Sequence, residues 1–402
     1  MNYPKEEGNG SALMFSACSK IKRAFRILAL LSFLSFNAVC WAGDGNDEVA
    51  ASSGIKGITI TDLGTLGGDR SSAGGINEKG QVMGQSSTSS GAAHCFIWEN
   101  GVMTDLGTLG GDYCEPVAIN DKGQVVGTSV TSSWVPLAFI WQDGVMTDLG
   151  SLGGGYSHAS AINKNGQVVG YSWTSTAAMH AFIWQNGVMT DLGTLGGDWS
   201  TAVGINDKGQ VIGYRSSSSG GEQAFIWQDG VMTDLGTLGG RSSIAYAINK
   251  NGQVVGYSNT TGAMHAFIWQ KGVMTDLGTL GGSWSIASGI NEKGQVIGDS
   301  ASSTGSQHSF IWKNGVMTDL GTLAGDLIGA FDVNDKGQVV GYSTASYGST
   351  KAFIWQNGVM TDLGTLSGDS WAVSINNHGQ AVGHSQTSPG SLARHAVLWS
   401  IK

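Results

Sequence analysis

An all-β fold, an eight-bladed β-propeller of four-stranded blades, is predicted by three observations: eight copies of one unit, four strand signals per copy, and a sequence that starts and stops partway through a copy. The Asp of a Thr-Asp-Leu-Gly segment stands at Asp62, Asp105, Asp148, Asp191, Asp234, Asp276, Asp319 and Asp362, spaced 43 residues six times and 42 once. In register with it, an Asn opens a four-residue turn at Asn77, Asn120, Asn163, Asn206, Asn249, Asn291, Asn334 and Asn376. A Trp closes a short apolar run at Trp98, Trp141, Trp184, Trp227, Trp269, Trp312, Trp355 and Trp399.

The unit around Asn206 shows the four strands. Residues 201–205 are small and apolar, and Asn206-Asp207-Lys208-Gly209 turns them into 210–214. After a Ser/Gly-rich loop come 224–227, which Gln228-Asp229-Gly230 turns into 231–235. The turn glycines supply the positive φ that tight antiparallel connections require. The longest connection without a hairpin turn is Gly-Thr-Leu-Gly-Gly, as at 236–240, which is therefore the crossover from one outer strand to the next inner strand. On that phase the chain begins with a lone outer strand, 58–63, and the last unit, 371–399, has only inner and middle strands. Joined, they complete the eighth blade and remove exposed sheet edges. An open solenoid would want distinct caps instead.

Composition follows from this order. Inner strands such as 71–76, 158–162 and 286–290 are rich in Ala, Ser and Gly, as a crowded centre requires. The Phe-Ile-Trp strand is apolar without alternation, as a strand buried on both faces between neighbouring blades is. Each second strand carries a Gly (Gly84, Gly127, Gly170, Gly213, Gly256, Gly298, Gly341, Gly383), which predicts an aromatic ring, the repeat Trp or Phe, packed over it.

With 64 glycines, 4 prolines, 13% charged and 41% hydrophobic residues, the chain is neither disordered nor collagen-like. Net charge is −9, and the first 42 residues hold five basic against two acidic side chains, which leaves −12 on the rest. So acidic a body disfavours nucleic acid and anionic membrane surfaces as partners. Basic residues Lys20 to Arg26 precede a mostly apolar run, 27–39, and small Ala42, the pattern of an export signal. The run is shorter than the roughly 20 residues of a spanning helix, although an uncleaved anchor is the alternative. The organisation expected is a signal peptide at 1–42, a linker at 43–57 and the repeat domain at 58–402, a monomer without membrane insertion. Cys18 and Cys40 fall in the leader, while Cys95 and Cys114 lie in adjacent repeats and form a candidate disulfide in an oxidising compartment. Spacing alone leaves open whether their Cα atoms approach within the roughly 7 Å that a bridge needs.

The motifs HAFIW (180–184), GVMTDLGTLGG (187–197) and INDKGQVIG (205–213), recurring in fixed register over 58–399, resemble the HAF-type extracellular repeat family. The resemblance implies an exported bacterial surface or secreted protein, some relatives being autotransporter passengers, and brings no catalytic residues. The name-giving His stands at His94, His180, His265, His308 and His395, but Leu137, Gln223 and Lys351 replace it in three copies, which argues against an obligatory imidazole.

Identical positions on successive blades are spread around a ring, whereas catalysis and metal binding need dissimilar groups converging on one point. The repeat Asp is therefore expected to accept backbone N–H groups of the crossover, with calcium a weaker alternative for want of six to eight oxygens. No catalytic residue, metal or cofactor is assigned. Functional information is expected where copies differ, in 85–93, 128–136, 171–179, 215–222, 257–264, 300–307, 342–350 and 384–394, which strand alternation places at the crossover end. Tyr113, Tyr156, Trp199 and Trp284 occupy equivalent positions at the starts of inner strands there, with Trp371 displaced and Trp134, Trp173 and Tyr347 in the variable loops. They are the candidate binding residues for a sugar ring or a protein partner, against the alternative of packing between blades. The expectation is thus an exported, non-enzymatic scaffold that binds a protein or glycan. A propeller-based glycan hydrolase or lyase, and a surface-display passenger with no ligand, are the alternatives.

Overall fold

The computed structural model describes residue 55 and residues 57–218, 220–325, 327–345 and 348–402. The leader at 1–42, with Cys18 and Cys40, lies outside the described residues, as does Tyr347. Among the described residues there is no α-helix, and the fold is all-β. The unit around Asn206 forms Ser200–Ile205, Val211–Ser216, Glu222–Gln228 and Val231–Asp234, paired antiparallel in that order. The other units repeat this sheet. At three joins a single parallel bridge (Arg70 with Arg394, Ala93 with Tyr113, Met264 with Trp284) ties neighbouring sheets at the crossover end.

The turn asparagine explains why one residue type recurs. Asn206 Oδ1 accepts from the N–H groups of Lys208 and Gln210 at 3.0 and 3.1 Å, holding a turn in which Gly209 takes φ 77°. Its Nδ2 donates to Gln210 Oε1 at 2.8 Å and, in the next unit, to the carbonyl of Asn249 at 3.1 Å. Buried amides satisfied on both ends contribute roughly 1 kcal/mol each and fix geometry more firmly than that figure suggests. The same donation runs from Asn77 to Asn120, on to Asn163, Asn206, Asn249, Asn291, Asn334 and Asn376, and from Asn376 back to Asn77.

The lone first strand, Ile58–Asp62, pairs antiparallel with Arg394–Ile401, with Ile60 opposite Trp399. It becomes the fourth strand of a sheet whose other members are Ser370–Ile375 and Gln380–Gln386.

The core lies between sheets. In one layer Val126, Ala138, Ile140 and Leu149 meet Ala159, Val168 and Phe182 of the following unit. A clasp crosses the same joins: the N–H of Ala138 donates to Ser157 Oγ at 2.9 Å, and that hydroxyl donates on to the crossover carbonyl of Gly150. Ala181 with Ser200, Ala224 with Ser243, Ala266 with Ser285, Ala352 with Ser370 and Ala396 with Ser71 repeat it. Two joins depart. Cys95 and Cys114 occupy the Ala and Ser positions and are disulfide-bonded, Cα to Cα 5.3 Å. At the other, Ser309 stands where Ala would and Ile328 where Ser would, and Ser309 Oγ accepts from Ala330 N at 3.1 Å.

The strand glycines have a different neighbour from the one expected. A Cβ at Gly213 would first strike the carbonyl oxygen of Thr201 and only then Phe225 Cζ at 2.8 Å; at Gly170, Gly256, Gly298, Gly341 and Gly383 the nearest atoms are all backbone of the inner strand. Phe is thus a secondary contact, at Gly84 and Gly213, and the repeat Trp is not among the nearest. The cause is the bulge in each inner strand, such as Ala202 to Gly204, which brings its carbonyl over the glycine.

Candidate binding face

Pairing of Gly67 with Thr88, and of Gly153 with Thr174, puts the crossovers beside the loops that join second and third strands. The variable segments therefore share one end of the molecule. The repeat Asp organises that end: Asp62, Asp105, Asp148, Asp191, Asp276, Asp319 and Asp362 each accept the N–H of the Gly two residues on, at 2.7–2.8 Å. Five of them also face the repeat histidine. His94, His180, His265, His308 and His395 bring Nδ1 within 2.6–2.8 Å of Asp105, Asp191, Asp276, Asp319 and Asp62. Where Gln223 replaces His, Arg215 takes over as the partner of Asp234 at 2.6 Å. Each pair belongs to its own sheet, and among the described residues no three His, Cys, Asp or Glu side chains are grouped to hold a metal.

The aromatic candidates do not form one cluster. Trp134 is 72% exposed, on a loop where it takes φ 61°, and Tyr113 is 36% exposed. Tyr156, Trp173, Trp199, Trp284 and Trp371 are half-buried. Tyr156 lies 6.1 Å from Tyr171 and 6.2 Å from Trp173, Trp199 sets an edge against Tyr214 at 5.8 Å, and Trp371 stacks on His384 at 4.9 Å. Three leucines that the sequence did not single out, Leu195, Leu327 and Leu392, are 49%, 57% and 78% exposed at the same end.

Further polar groups lie beneath this surface. Tyr113 donates to Glu115 Oε2 at 3.4 Å, and burial raises the Glu115 carboxyl above its ordinary range. Ser72 Oγ meets His384 Nδ1 at 3.0 Å across the seam where the chain ends join. Burial, helped by the Arg394 charge, lowers His384 to about 3, and Arg394 is itself lowered by burial and by Arg70. His158 lies against Tyr171 at 5.1 Å with a buried Nδ1 that has no hydrogen-bond partner, and burial lowers it to about 4. Both imidazoles are neutral at neutral pH, so the positive charge at the seam belongs to Arg70 and Arg394.

No protein-family model and no curated protein matches the chain. Solved structures do. The β-propeller domain of the Trilobed protease from Pyrococcus furiosus is 11% identical, with a TM-score of 0.49 over 73% of this chain and 98% of that one. A Mycobacterium tuberculosis puromycin-hydrolysing peptidase is 10% identical, TM-score 0.48, over 80% of this chain, which spans 60% of the peptidase. The BP39L lectin from Burkholderia pseudomallei is 10% identical, TM-score 0.38, over 76% of this chain and 97% of the lectin. The likeness is one of fold, a β-propeller, and carries no activity with it. With a puromycin-hydrolysing peptidase and a protease domain among the matched propellers, the expectation of a non-enzymatic chain does not stand.

Proposed function

We propose that the chain is an exported, closed eight-bladed propeller of HAF type whose crossover end binds a protein or glycan. The cycle of asparagine donations that returns from Asn376 to Asn77, and the pairing of Ile58–Asp62 with Arg394–Ile401, support eight blades in a closed ring. The Cys95–Cys114 bridge supports export, because such bonds persist in oxidising compartments. Among the described residues no helix is long and apolar enough to cross a membrane.

The observation that carries the binding reading is the irregular set of exposed apolar side chains at the crossover end: Trp134, Tyr113, Leu195, Leu327 and Leu392. They stand in or beside segments whose sequences differ from copy to copy, on a scaffold whose other parts repeat, and solvent-exposed apolar groups of this size mark contact surfaces. Glycan arrays and host-surface protein panels probed with the folded chain test this. Binding that falls at least tenfold in Trp134→Ala or Tyr113→Ala supports it, and binding indifferent to both substitutions contradicts it.

A further inference from the structure

One join differs from its equivalents in charge. At the crossover end a parallel bridge pairs Ala93 with Tyr113 and, at another join, Met264 with Trp284, in each case an apolar side chain with an aromatic one. At the seam where the two ends of the chain meet, the same bridge pairs Arg70 with Arg394. Like charges set opposite each other cost stability, so packing alone gives no reason for two cations here, whereas an anion held between them does.

The surroundings fix the pair in place. The Arg70 N–H donates to Ser87 Oγ at 3.0 Å, and the Arg70 carbonyl accepts from the hydroxyls of Ser86 and Ser87 at 3.2 and 3.1 Å. The Arg70 side chain is 50% exposed, and its acidic neighbour Asp69, 73% exposed, stands 4.0 Å away, beyond hydrogen-bond reach. Arg394 is half-buried, and its charge reaches both Arg70 and His384. Ser72, two residues on from Arg70, meets His384 Nδ1 at 3.0 Å, and Trp371 stacks on that imidazole at 4.9 Å. With His384 neutral, the seam gathers two guanidiniums beside a hydroxyl and an aromatic pair.

A guanidinium offers a carboxylate two parallel N–H donors, and two arginines on bridge-partner positions can close on one carboxylate. The indole beside them is the kind of surface on which a sugar ring packs. A long polyanion would meet the acidic remainder of the body, whereas one acidic residue feels only the charges within a Debye length, about 8 Å. Resting on the reading of the crossover end as a contact surface, we propose that Arg70 and Arg394 form a site for the carboxylate of a single acidic sugar residue, with Trp371 beside its ring.

The test titrates the full folded chain by NMR with sialyllactose against lactose and galacturonic acid against galactose, and with a tetraglutamate peptide and heparin as the other anions. The expected result is binding of at least one acidic sugar tenfold or more above its neutral counterpart. That preference should be lost in Arg70→Gln, at a half-exposed position, and in Arg394→Gln, with melting checked for both, while Arg70→Lys, which keeps the charge without the fork, recovers only part of it. Equal binding of acidic and neutral sugars overturns the proposal. So does stronger arginine-dependent binding of the peptide or of heparin, which would make the seam a site for acidic peptides or polyanions. Glycan binding that falls in Trp134→Ala or Tyr113→Ala but ignores both arginines overturns it too, and leaves the crossover end standing as a contact surface.

Discussion

Asn376 donates from Nδ2 to the carbonyl oxygen of Asn77 at 3.1 Å, although 299 residues separate them in the chain. The same bond elsewhere joins asparagines 42 or 43 residues apart. A contact made by chain neighbours everywhere else is therefore made here by the two ends. Register explains it: with Ile58–Asp62 completing the last sheet, the first inner strand, Gly67–Ile76, follows as the next member in the series.

Substitution of the strand glycine tests the packing of the inner strand. Gly213→Ala places a methyl against the Thr201 carbonyl, an obstacle that belongs to the backbone and cannot rotate away. The expected loss is about 1–3 kcal/mol, with Gly213→Val losing more, measured by urea denaturation. Gly230, at φ 87° with no atom near its Cβ position, isolates the conformational cost alone. Equal melting temperatures for wild type and Gly213→Ala would remove the account.

The Cys95–Cys114 bridge takes the place of the Ala–Ser clasp found at six other joins, which predicts an asymmetry between variants. Cys95→Ala with Cys114→Ser rebuilds the clasp. It should lose the cross-link, worth about 2–4 kcal/mol, and regain about 1 kcal/mol from the hydrogen bond. Cys95→Ala with Cys114→Ala regains nothing. Denaturation midpoints in the order wild type, Ala/Ser, Ala/Ala are expected; indistinguishable double variants would show that the clasp contributes nothing.

Asp299 sets a pH dependence. Burial raises its carboxyl to about 6, despite a hydrogen bond from Ser309 Oγ at 2.6 Å, while the unfolded carboxyl titrates near 3.8. Between those values the folded chain holds a proton that the unfolded chain has released, so this contribution is full below the unfolded value and is lost as pH rises through about 6. His158 and His384 act oppositely, their neutral forms being favoured by burial, so their contribution is lost as pH falls below 6.5. Asp299→Asn should raise stability at pH 7.5 and leave it nearly unchanged at pH 4, as read by denaturation at the two pH values. An equal effect at both would assign the change to packing instead.

The spacing of Asp, Asn and Trp made the strands around Asn206 legible to within two residues at each end, because turn chemistry is local. What the asparagine does beyond its turn was not legible, since Asn249 becomes its acceptor only once sheets stack. The clasp was hidden for a similar reason: Ser157 and Ala138 are common residue types whose pairing appears only across a join. Equivalent register also misleads about exposure. Trp199 and Tyr113 share a repeat position, but Tyr214 covers the former, while Trp134 is exposed because its loop turns it outward at φ 61°. Arg70 and Arg394 could be read as neighbours only after the ends were joined.

Joining of the ends is tested most directly by a disulfide between Thr59→Cys and Ser400→Cys, residues directly opposite each other in the pairing of the first and last strands. Peptide mapping of the oxidised monomer should find the two cysteines linked within one chain, with the melting temperature raised. Free thiols at both positions in the folded, oxidised monomer would contradict a ring closed by its own first strand.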